Sequence, residues 1–144
     1  MRIKIDLPEA FHFSTRIPVR ITDLNYGGHV GNDALLGILQ EARLHYLAQW
    51  GYTELAMAGV GLIMSDVVIS FKGESFYGDT WEIRMQATEF SRVGFAWYYL
   101  VETERGGKRI SIAEARTGMV CFDYAARKPV SVPETFIAQV GALV

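Results

Sequence analysis

The chain has 144 residues, 50% of them apolar, 21% charged and 12% aromatic, with fourteen basic side chains against sixteen acidic ones and a net charge of −2. This excludes a disordered chain or a coiled coil, suits one domain over residues 1–144 rather than two, and leaves no electrostatic footprint for nucleic acid. A single cysteine, Cys121, excludes an internal disulfide and a multi-cysteine zinc site.

Mean hydropathy is +0.13, high enough to suggest either a rich core or surface covered by another subunit. Charges interrupt the N-terminal run Met1 to Glu9, so no secretory leader is expected there. The longest run free of polar side chains, Ala56–Met64, is far below the roughly 20 residues of a spanning helix. The expectation is a cytoplasmic protein with no membrane partner.

In chain order, Phe13–Thr22 alternates Ile17, Val19 and Ile21 with polar residues, the period of a half-buried strand, and Pro18 marks an edge or a bulge. A glycine-rich turn follows, Asp23 to Asn32. The spacing then predicts one long helix over Asn32–Trp50, capped by Asn32 or Asp33 and ended by Gly51. Its apolar residues run nearly all the way round, which predicts burial on most sides. After a short turn region, period-two strands are expected at Leu62–Phe71, Thr80–Thr88, Phe95–Glu104 and Lys108–Phe122, the last two joined by the hairpin signal Arg105-Gly106-Gly107. Ser111, Ala113, Ala115 and Thr117 would put small side chains on one face. The fold class is α+β: a curved, antiparallel, five-stranded sheet wrapped around one central helix.

The stretch Val19-Arg-Ile-Thr-Asp-Leu-Asn-Tyr-Gly-Gly-His-Val-Gly-Asn32, with Leu39-Gln-Glu-Ala-Arg43 a little further on, resembles the hotdog-fold acyl-CoA thioesterases of the 4-hydroxybenzoyl-CoA thioesterase group. Phe76-Tyr-Gly-Asp79 and Arg127-Lys-Pro-Val-Ser-Val-Pro133 fit the same pattern. The resemblance implies the hotdog fold and hydrolysis of an acyl thioester of coenzyme A or acyl carrier protein, without a cofactor. It also implies a homodimer or homotetramer in which sheets join edge to edge and each site draws on two subunits. Many members carry a carboxylate where this chain has Asn25, which leaves the base open between His29 and Glu41.

Thioester hydrolysis needs a group that activates water, donors for the developing oxyanion, and a slot for the acyl chain. Asn25 cannot be a base but can donate to a carbonyl. His29 has an imidazole suited to proton transfer near neutral pH. Glu41 sits on an apolar helix, four residues before His45, and is either a base or half of an ion pair. The loop backbone at Gly28, Val30 and Gly31, close to a helix N-terminus, can supply oxyanion donors. Asp23 reads as a turn residue, and Asp66 as a structural charge or a site-lining one. Arg92, Lys108 and Arg109 are the candidates for coenzyme A phosphates. Trp81, Trp97, Tyr98 and Tyr99 line either a slot or the core. His12, His29 and His45 lack metal-ligand spacing, so no metal is expected. Two alternatives stand beside hydrolysis: an enoyl-CoA hydratase or dehydratase of the same fold, and a non-catalytic acyl-CoA binder.

Overall fold

The structure, a computed structural model, describes residues 2–143. Strand β1 (Phe13–Pro18) ends four residues short of the period-two pattern. The Asp23 carboxylate accepts the backbone N–H of Arg20 at 2.8 Å, and Ile21–Asp23 coil into a 3-10 turn instead. Helix α1 (Asn32–Ala48) follows, and Gly51, at φ +75°, helps turn the chain at its end.

Strands β2 (Gly61–Phe71), β3 (Thr80–Thr88), β4 (Gly94–Arg105) and β5 (Lys108–Asp123) complete one antiparallel sheet in the order β1-β3-β4-β5-β2. A two-residue strand β6 (Lys128–Pro129) adds to the end of β5, so the sheet has six strands rather than five. A second helix, α2 (Glu134–Gly141), was not foreseen from the sequence. It closes the end of the molecule where α1 finishes: Phe136 is fully buried, with its ring centre 5.3 Å from Phe95 and 5.9 Å from Trp50.

The core lies between α1 and one face of the sheet. Leu35, Ile38, Leu39, Ala42, Tyr46 and Leu47 of α1 are buried with Trp81, Ile83, Met85, Trp97, Tyr99 and Val101. Trp81, Trp97 and Tyr99 are thus core residues, while Tyr98 points outward and bonds Glu89. A register shift beside Val101 and Glu102 makes Ile112 the extra residue of β5. Ser111 therefore leaves the face of Ala113, Ala115 and Thr117 and is exposed, while Ile112 is buried.

The helix is not enclosed on every side. Leu36 and Leu44 are 39% and 42% exposed. Edge strand β2 continues this open face: Met64, Val67 and Phe71 lie opposite the buried Met119, Thr117 and Ala113, hence on the helix side of the sheet, yet are 37–45% exposed. One apolar helix face and one apolar edge strand are left uncovered in the single chain.

Candidate active site at the start of the helix

The glycine-rich turn forms a small hairpin. Asn25 N–H donates to the His29 carbonyl at 2.9 Å, Gly28 N–H to the Asn25 carbonyl at 3.1 Å, and Leu24 bridges Val30. Gly28 has φ +81°, a conformation that favours glycine. The Asn25 side-chain oxygen accepts Gly27 N–H at 2.9 Å, the geometry of an Asx-turn. That fixes the amide and leaves its NH₂ free to donate outward. His29 Nδ1 is 3.4 Å from the Val30 carbonyl, which favours the proton on Nδ1 and leaves Nε2 as an acceptor. A β-carbon on Gly27 would stand 3.2 Å from Asn25 Oδ1 and 3.3 Å from His29 Nε2. The structure thus brings Asn25 and His29 together over Gly27.

All three expected oxyanion donors are already engaged, Gly28 N–H in its bond to the Asn25 carbonyl. Val30 N–H donates to the Ser75 carbonyl at 2.8 Å, and Gly31 N–H to the Asp23 carbonyl at 3.1 Å. Gly31 is the N-cap and offers no side chain, so the free donors are the first N–H groups of α1, on Asn32, Asp33 and Ala34. The donor position moves from Gly28, Val30 and Gly31 into the first helical turn.

A buried polar cluster anchors the loop from below. Asp79 accepts from Ser75 Oγ at 2.8 Å and from Phe76 N–H at 2.9 Å, Trp81 Nε1 donates to Ser75 Oγ at 2.7 Å, and Arg105 closes an ion pair on Asp79. Burial raises the Asp79 pKa, but the Arg105 guanidinium and the Phe76 and Ser75 donors outweigh it and hold the carboxyl below its ordinary range. In the sequence the cluster is signalled only by the Phe76-Tyr-Gly-Asp79 turn; its links to Ser75, Trp81 and Arg105 arise from the fold.

Glu41 lies on the β1 side of α1. Its Oε1 accepts Arg20 at 2.8 Å, and Oε2 is 3.7 Å from His45 Nε2, whose Nδ1 bonds Thr15 at 2.7 Å. Arg20 also pairs with Asp23 at 3.2 Å. Arg43 turns the other way, into the core, to Glu54 at 3.3 Å and the Tyr99 hydroxyl at 3.4 Å. Asp66 pairs with Arg116 at 2.9 Å on the outer face of its own chain.

The three phosphate candidates separate. Lys108 opens the hairpin at the loop end of the sheet, where Arg105 reaches the Glu74 carbonyl. Arg109 is tied to Glu102 at 2.8 Å and to Glu82. Arg92 is exposed at the opposite end of β4, about 35 Å away at the rise of a strand. Arg92 and Lys108 of one chain cannot hold the same diphosphate.

Among the described residues no cluster of His, Cys, Asp and Glu could hold a metal, and no helix is long and apolar enough to cross a membrane. Beside the helix start lies an apolar crevice of 20 Å³ lined by Gly31, Leu35, Phe71, Trp81 and Ile112, about the room for one water. A larger cavity, 530 Å³, is lined by Glu82, Arg84 and Arg109 among others and is polar.

The sequence model of the thioesterase-like superfamily matches residues 19–140. The chain belongs to the thioesterase-like superfamily. Thioester hydrolysis is the activity this membership supports. No curated protein matches it. Among solved structures, a thioesterase from Thermus thermophilus complexed with coenzyme A and zinc is 23% identical, with TM-score 0.78, covering 94% of this chain and 97% of that one. A 1,4-dihydroxy-2-naphthoyl-CoA thioesterase from Synechocystis is 20% identical, with TM-score 0.78 and coverage of 90% and 95%. The 4-hydroxybenzoyl-CoA thioesterase of a Pseudomonas species is 19% identical, with TM-score 0.75 and coverage of 92% and 98%. These likenesses establish the hotdog fold for this thioesterase-superfamily chain.

Proposed function

We propose that this thioesterase-superfamily protein hydrolyses acyl-CoA at the loop around Asn25 and His29, as a homodimer. The observation that carries the reading is the convergence of a free amide donor, an imidazole acceptor and unsatisfied helix N–H groups at one end of α1. The thioester carbonyl accepts from Asn25 Nδ2 and from the helix N–H groups, whose dipole favours the oxyanion. His29 Nε2 accepts a hydrogen bond from the attacking water and holds it beside the carbonyl carbon. Attack forms the C–O bond, collapse breaks the C–S bond, and the products are a carboxylic acid and the coenzyme A thiol.

The homodimer supplies what one chain lacks. The crevice beside the helix start has room for about one water and is too small for an acyl group. The open face of Leu36 and Leu44 with Met64, Val67 and Phe71 is apolar and borders an unpaired strand edge, the combination that a second sheet would cover. Antiparallel pairing of two β2 edges sets the Phe71 end of one chain against the Gly61 end of the other. Arg92 lies at that Gly61 end, so the partner subunit's Arg92 is the one brought towards the phosphates. The lone buried cysteine leaves no disulfide to require an oxidising compartment, which agrees with a cytoplasmic setting.

The test is thiol release from short, long and aromatic acyl-CoAs by wild type and by His29→Ala and Asn25→Ala. Release with a preference for one acyl class, lowered 10²-fold or more by either substitution, is the expected result. Binding of coenzyme A with no release from any of them would sink the hydrolase reading. Hydration of crotonyl-CoA in place of hydrolysis would make the protein a lyase.

A further inference from the structure

Three acidic side chains surround the loop, and two are committed. Arg20 donates to Asp23 and to Glu41. The third, Asp33, is exposed in the first turn of α1 and makes no ion pair or cap hydrogen bond among the described residues.

Gly31 shows where the Asp33 carboxylate lies. A β-carbon at position 31 would stand 2.7 Å from Asp33 Oδ1 and 3.6 Å from the β-carbon of Asn25. Gly31 has φ −73°, which any residue adopts, so the backbone does not require glycine there. The missing side chain instead leaves room for Asp33 to fold back towards Asn25. With His29 and Asn25 meeting over Gly27, three side chains gather above two glycines.

Helical spacing adds a second argument. Asp33 shares the face of Leu36, Gly37, Gln40 and Leu44, the uncovered face of α1. Glu41 is turned about 80° from Asp33 around the axis, towards β1. An acyl group lying against the open face meets Asp33 at its head.

We propose that Asp33 is the catalytic base, the carboxylate that position 25 does not supply. This rests on the thioesterase reading above. The ionised Asp33 takes a proton from the water that His29 holds, and the water oxygen bonds to the carbonyl carbon. When the C–S bond breaks, the protonated Asp33 returns its proton to the leaving sulfur. The carboxylic acid and the thiol account for every atom of thioester and water.

The experiment uses the full chain with the same acyl-CoAs and the variants Asp33→Asn, Asp33→Ala and Asp33→Glu, each first shown to unfold at the wild-type temperature. Asp33→Asn is expected to lower kcat by about 10²–10⁴-fold with KM little changed, and to remove the acidic limb of the kcat/KM profile. Asp33→Glu, which keeps the carboxylate, is expected to recover part of the rate and the limb. Wild-type kcat and an unchanged pH profile in Asp33→Asn and Asp33→Ala would overturn the assignment while leaving the thioesterase reading intact. Failure of wild type to release thiol from any acyl-CoA would overturn both.

Discussion

Val30 donates its backbone N–H to the carbonyl of Ser75 at 2.8 Å, across 45 positions of sequence, and so hangs the proposed active-site loop on the turn before β3. Ser75 is in turn held by Asp79 and Trp81, and Asp79 by Arg105. The loop is placed by a buried polar chain that reaches to the tip of the β4–β5 hairpin.

Replacing Asp79 strips acceptors from Ser75, Phe76 and Arg105 at once. Asp79→Ala is expected to lower unfolding stability by about 2–3 kcal/mol, measured by urea denaturation. The pH dependence has a definite sign. The folded pKa lies below the ordinary 3.8, so the contribution is full above pH 3.8 and is lost as pH falls through the lower folded value. The stability gap between wild type and Asp79→Asn should therefore narrow below about pH 4.

Two loop glycines serve different purposes and should respond differently to alanine. Gly28 has φ +81°, so Gly28→Ala is expected to cost about 1–2 kcal/mol of stability, read from thermal melting. Gly31 has an ordinary φ, and its new methyl group would crowd only the movable end of Asp33, at 2.7 Å, while touching the Asn25 β-carbon at an ordinary 3.6 Å. Gly31→Ala should change stability by less than about 1 kcal/mol but lower kcat by displacing that carboxylate.

Val67 is 37% exposed on the helix side of the unpaired β2 edge. Val67→Lys should leave the chain folded, place a charge in the expected subunit contact, and shift the protein from dimer to monomer in light scattering after size exclusion. Thiol release should fall with the dimer fraction. A monomeric wild type would dispose of the edge-to-edge assembly.

Cys121 is fully buried, and burial pushes its thiol up to about 11. Native protein is expected to resist a thiol-reactive dye at pH 8 and to titrate one thiol per chain only in denaturant. Rapid labelling of the native chain would show that the end of β5 opens.

Much of the architecture was legible because strand and helix periods are local. The alternation over Thr80–Thr88 matches β3 residue for residue, and α1 starts at Asn32 as the pattern placed it, although Gly31 rather than Asn32 or Asp33 is the N-cap and the helix ends at Ala48, two residues before Trp50. Asn25 and His29 were legible too, because the hairpin that joins them spans only a few residues. Elements that depend on distant support were not: β1 stops at Pro18 because Asp23 captures Arg20, and Ser111 leaves its face because β5 carries an extra residue opposite β4.

The sequence by itself determined the α+β class, the order of the main elements and the Asp23–Asn32 loop to which we assign the chemistry. Tertiary structure decided which groups of that loop are free to act. Ser75 and Asp23 consume the N–H groups of Val30 and Gly31, Arg20 occupies Glu41, and Asp33 is left unpaired beside Gly31. The length of β4 parts Arg92 from Lys108. The physical reason is that side-chain periodicity follows from neighbours in the chain. Whether a donor or a carboxylate is available depends instead on what the folded chain brings against it from far away.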